Sequence, residues 1–75
     1  MSYVIVSDVI IWAVGDTPET AWQEFDECMG ETATHEGFEV HPATPALVYL
    51  VARRGEAGIS WAYRQDGTAC LESEI

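Results

Sequence analysis

Gly15-Asp16-Thr17-Pro18-Glu19 constrains the fold of this chain more than any other segment. Before it, Tyr3 to Val14 is rich in β-branched and aromatic residues, the composition of a strand. After it, Ala21, Trp22, Phe25, Cys28 and Met29 recur at spacings of three and four, one apolar stripe on a helix. The segment itself is a helix start. Asp16 or Thr17 can cap with a side-chain oxygen, and Pro18 suits the first turn, where its missing N–H costs nothing. Glu19 meets the positive end of the helix dipole. Gly30 suits a C-cap, so a helix is predicted over Pro18 to Met29.

Punctuation elsewhere is weaker. Ser7-Asp8 interrupts the N-terminal run, either as a bulge in one long strand or as a tight turn between two short ones; a two-residue hairpin turn favours Gly or Asn, so one long bent strand is predicted. Glu31 to Ala43 is mostly polar and reads as a loop with a short strand at Phe38–Val40. Ala46 to Ala52 is continuously apolar, as in a buried strand. Yet Thr44-Pro45 repeats the cap-plus-proline start, and Arg53-Arg54-Gly55 makes a fitting helix end, so a helix is predicted there.

Ile59, Trp61 and Tyr63 alternate onto one face, Asp66-Gly67 signals a hairpin turn, and Thr68 to Glu72 returns. A two-residue turn sets Tyr63 opposite Cys70 and Trp61 opposite Glu72. The expected class is α+β, in one domain over residues 1–75. A small, mostly antiparallel sheet, made of a long N-terminal strand and the C-terminal hairpin, is covered on one face by one or two helices.

Composition narrows the function classes. Thirteen Asp and Glu stand against three Arg and no Lys, a formal charge of −10 over 75 residues. With 48% hydrophobic residues, the chain carries too much apolar matter for a disordered acidic tail. Its longest apolar runs, Val9–Val14 and Ala46–Ala52, fall far short of the roughly 18–20 residues of a membrane span. No basic segment precedes an apolar stretch, so a cytoplasmic protein is expected. Direct nucleic-acid binding is not expected, because phosphate contacts need Lys and Arg. A domain this small gains modest stability from its core, and self-repulsion lowers it further. A partner surface or a homodimer contact would relieve both.

The residues that carry chemistry are sparse. Cys28, His35, His41 and Cys70 invite a zinc reading, but their spacing matches no common finger and neither Cys belongs to a Cys-x2-Cys pair. Both cysteines read as reduced, small buried hydrophobes, with a Cys28–Cys70 bridge as the lesser alternative. A reactive cysteine needs nearby positive charge, which this chain scarcely offers. No metal, no cofactor and no enzymatic activity are expected.

The carboxylates are the anomaly. Residues 1–52 hold nine Asp or Glu and no Lys or Arg. Asp16, Glu19, Glu24, Asp26, Glu27, Glu31, Glu36 and Glu39 fall within 24 residues. One reading is a solvated surface that keeps a small protein soluble. The other is a negative surface that imitates a row of phosphates and docks on a basic partner, including a nucleic-acid-binding protein. Trp22 reads as core; Trp12 and Trp61 read either as interface anchors on an open sheet face or, with Trp22, as filling of a small core.

Gly15 to Ala21 resembles the strand-to-helix turn of HicB-type antitoxins. The likeness covers fewer than ten residues, the rest of that family's pattern is not evident, and the chain is not assigned to it. In size and charge the chain is similar to phage-encoded inhibitors, anti-CRISPR proteins and DNA mimics among them. The expectation is therefore a small acidic interaction module that binds a basic surface. The alternative is an antitoxin-like or regulatory subunit that uses an open sheet face. A small metal protein or enzyme comes third.

Overall fold

The computed structural model describes residues 2–30, 34–55 and 58–75. It contains strands β1 (Ser2–Ser7) and β2 (Ile10–Gly15), helix α1 (Pro18–Met29), strand β3 (Glu39–Ala43), helix α2 (Pro45–Arg54), strands β4 (Trp61–Tyr63) and β5 (Ala69–Leu71), and a closing 3-10 turn at Glu72–Glu74. The strands form one sheet in the order β2-β1-β3-β5-β4. The α+β class holds. The sheet is mixed, which corrects the expected antiparallel arrangement: β3 pairs in parallel with β5 at Ala43–Ala69. Thr44, at the end of β3, donates its N–H to Ala69 O on the same side (2.9 Å), and α2 carries the chain away before the hairpin returns.

The N-terminal run is a hairpin rather than one bent strand. Ser7 pairs with Ile10 across the two-residue turn Asp8-Val9. Asp8 takes a positive φ of 56°, supplying the backbone conformation that was expected of Gly or Asn. A bulge lies deeper in the same hairpin. Ile5 pairs with Ala13 and Val6 with Ile11, which leaves Trp12 as the extra residue. The bulge reverses the pleat, so Ile11 and Ala13, two residues apart, belong to different apolar clusters.

Those clusters place the helices. Ile5 and Ala13 pack with Ala21 and Phe25 of α1. Val4, Val6 and Ile11 pack with Leu47 of α2, Ala43 and Ala69. Side chains alternate along a strand, so Val4 and Val6 point to one face of β1 and Ile5 to the other. The two helices therefore lie against opposite faces, which corrects the one-sided arrangement expected.

Residues 39–43, read as mostly loop, form β3 beside β1, with Val4 opposite His41 and Ile5 opposite Val40. Polarity hid this strand, and so did Pro42. Since Thr44 donates toward β5, the nitrogen of Pro42 two residues earlier lies on that same side, and the β1–β3 ladder loses no donor to the proline.

The C-terminal hairpin is present with its register shifted by one residue. Tyr63 faces Ala69, Ala62 faces Cys70, and Trp61 faces Leu71. Arg64 N–H donates to Thr68 O (2.8 Å) and Gly67 N–H to Arg64 O (3.0 Å). Of the turn residues only Gly67 has positive φ (89°). That pattern is a three-residue loop closed by a left-handed glycine, where a two-residue Asp-Gly turn needs positive φ at both positions.

Both helix starts work as expected. Thr17 caps α1: its hydroxyl accepts from Thr20 N–H (3.1 Å), while Thr17 N–H donates to the Thr20 hydroxyl (2.9 Å). Thr44 caps α2 and donates its own hydroxyl to Glu74 Oε1 (2.6 Å). Glu74 also accepts from Leu71 N–H (2.9 Å), so the 3-10 turn latches the start of α2. These two bonds, the Thr44 hydroxyl first, hold the Glu74 carboxyl below its ordinary range. A lowered carboxyl contributes stability above its unfolded value that is lost as the pH falls through the folded one. Glu74→Gln is therefore expected to be less stable than the parent at pH 7, with the gap closing as the pH drops below about 4. Urea midpoints measured from pH 7 to pH 3 check this. A gap that stays constant across that range would show that the latch is not ionic.

Candidate functional site

The outer surface of α1 is where the sequence's acidic run becomes a shaped surface. Ala21 and Phe25 are buried, so the opposite side of the helix faces solvent. There, Glu19, Trp22, Gln23, Asp26, Glu27, Gly30 and His35 line a shallow concavity of about 750 Å³. Glu24 lies on the flank of α1 away from Trp22 and does not line it.

Trp22 is half-buried, not core. Its ring meets Phe25 edge-on at 5.5 Å, and its outer side is covered by His35, stacked at 3.9 Å and 17°. His35 Nε2 donates to Asp26 Oδ1 at 2.9 Å, since an ionised carboxylate can only accept. One histidine thus ties the segment after α1 back to the helix. Phe38 continues the aromatic row, 4.6 Å from Phe25 and 5.7 Å from Trp12.

The other expected site residues are dispersed. Asp16 is exposed ahead of α1 and does not cap it, since Thr17 does. Glu36 is exposed in the turn before β3. Glu39 is exposed at the start of β3, with Oε2 3.9 Å from His41 Nε2. It acts on the other face of the sheet: burial, and after it the Glu39 charge, push the Tyr63 phenol above its ordinary value. Tyr63 also lies against His41 (5.0 Å) and Trp61 (5.2 Å). Glu31 lies outside the described residues. Trp61 is half-buried and packs against the α2-side cluster, so it is not an open anchor. Trp12 is 43% exposed on the bulge of β2. Cys70 is buried, whereas Cys28 is exposed, against the expectation that both were buried; neither is bridged.

Electrostatics set the character of the surface. Among the described residues the carboxylate ion-pair contacts are with His35 and His41, and none is with an arginine. Arg53 is turned toward Tyr49, its guanidinium 5.3 Å from the ring centroid. Among the described residues, no carboxylate of α1 is therefore paired with an arginine, and only Asp26 meets a histidine. No group of three or more His, Cys, Asp or Glu among the described residues could hold a metal ion. No helix among them is long and apolar enough to cross a membrane. No protein-family model matches the chain, and no curated protein or solved structure is significantly similar to it.

Sequence reasoning missed His35 as a structural partner of Trp22. It lies nine residues beyond Asp26, and no spacing rule links a helix to a loop that folds back on it. Gln23 was also missed. Its position one turn after Glu19 on the polar face was a usable signal.

Proposed function

We propose that this chain is a non-enzymatic interaction module whose α1 surface docks on a basic surface of a partner protein, of the kind that nucleic-acid-binding proteins present. The observation that carries this reading is the concavity itself: Glu19, Asp26 and Glu27 surround Trp22 with no arginine paired to them. Exposed carboxylates gathered on one surface suit Lys and Arg by charge. Glu24, Glu36 and Glu39 add to the long-range field and not to the concavity. The open-sheet-face alternative has less support, because β1 is packed on both faces.

Affinity capture from extracts of the source organism, followed by kinetics on the captured partner, tests the reading. The association rate is expected to fall about tenfold or more between low and high salt, because steering between exposed charges is screened. Glu19→Lys, Asp26→Lys and Glu27→Lys together are expected to abolish most of that salt dependence, with only the His35 tie to Asp26 lost from the fold. If the triple variant binds as the parent does at every salt concentration, the acidic surface is a solubility device only.

A further inference from the structure

β2 is an edge strand, and its six residues carry no charge. Exposed edges are commonly blunted by lysine, proline, an inward charge or a bulge, and of these β2 has only the bulge. It presents Ile10 and Trp12, each more than 40% exposed, with Val9 at 77% in the turn beside them. In a two-residue hairpin the closing pair Ser7–Ile10 exchanges its hydrogen bonds, so the N–H and C=O of Ile11 point outward.

The bulge is the second observation. Without Trp12, the sequence Ile10-Ile11-Ala13-Val14 would alternate regularly, with Ile11 still opposite Val6 and Ala13 still opposite Ile5. The ladder and both apolar clusters would close without it. Trp12 is thus an added residue whose ring meets Phe38 edge-on, and otherwise faces solvent. Bulges near sheet edges serve to re-aim side chains.

Charge selects the occupant. Asp8 and Asp16 bracket the apolar edge at its two ends. In a two-fold pairing of β2 with a second copy, Asp8 of one copy would come beside Asp16 of the other, between chains of −10 each. A foreign segment with basic residues at both ends meets the same carboxylates favourably. We infer that β2 is a docking ledge, anchored by Trp12, for an extended partner segment whose apolar centre is flanked by lysine or arginine. This rests on the proposal of a basic partner and assigns it a second contact, away from the α1 concavity.

The probe is a synthetic peptide, Arg-Lys-Thr-Val-Thr-Val-Thr-Lys-Arg, titrated into the labelled full chain and followed by amide and indole NMR shifts. Shifts are expected at Val9 to Asp16 and at the Trp12 indole. Trp12→Ala, and separately deletion of Trp12, are expected to weaken binding at least tenfold with the remaining spectrum preserved. Asp8→Asn with Asp16→Asn is expected to weaken it about threefold to tenfold and to flatten its salt dependence. At high salt, where the long-range field is screened, the triple reversal on α1 is expected to change binding by less than twofold. If that reversal abolishes peptide binding and Trp12→Ala does not, the ledge is overturned while the α1 reading stands. A peptide that shifts nothing, or a parent chain that sediments as a dimer broken by Trp12→Ala, also overturns the ledge.

Discussion

Phe25→Ala should remove most of the stability of this protein. Phe25 is fully buried and carries the α1 side of the structure, touching the rings of Trp22, Phe38 and His35. Truncating a buried phenylalanine costs about 3–5 kcal/mol. A chain of this length holds roughly 4–11 kcal/mol in all, at about 0.05–0.15 kcal/mol per residue. For a parent at the low end of that range, where small size and self-repulsion place it, the variant should be largely unfolded at ambient temperature. Phe25→Leu conserves most of the volume and should cost about 1 kcal/mol. Urea melts with unchanged slope measure both. A loss below about 1 kcal/mol for the alanine variant would mean that α1 is not seated through this ring.

Gly15→Ala should cost about 3 kcal/mol, at the upper end of overpacking effects. A Cβ at position 15 would lie 2.4 Å from the backbone nitrogen of Ala21 and 2.8 Å from its Cα. It would also meet the Thr20 hydroxyl at 2.6 Å, the group that closes the capping box with Thr17. Backbone atoms cannot swing away as a long side chain can, so the first turn of α1 must move and the cap must loosen. Chemical denaturation gives the loss, and amide exchange at Thr20 and Ala21 shows where it falls. Faster exchange there than in β1 is the expected pattern. An alanine variant as stable as the parent would show that the strand-to-helix turn is looser than described.

What was legible in the sequence was what local chemistry decides. Thr17-Pro18 and Thr44-Pro45 mark helix starts by side-chain oxygens and a fixed φ, and both helices begin there. Gly30 and Gly55 end them with positive φ. What was not legible depended on long-range pairing. β3 is half polar and contains a proline, so only its neighbour β1 makes it a strand. Asp8 adopted a backbone region that was reserved for Gly or Asn, and one long strand became two. Gly67 took a left-handed φ after a three-residue loop, which moved Tyr63 from Cys70 to Ala69. At the candidate site, the charge was evident but its distribution was not. Helical phase gathered Glu19, Asp26 and Glu27 and left Glu24 on the far flank. His35 joined them through a contact with Trp22 that no motif announces.

The place of β5 in the sheet has a consequence for synthesis. It lies between β3 and β4, yet it follows both in the chain. Because the chain leaves the ribosome N-terminus first, the first hairpin, α1 and β3 are free to associate before β5 is. The far side of β3 has nothing to pair with until residues 69–71 emerge. The buried cap of α2 must likewise wait for Glu74. Late arrival of an interior strand leaves a half-sheet with one open border until β5 is released, and open borders are prone to wrong association. The heavy acidic load of the first half of the chain would hold neighbouring nascent copies apart during that interval.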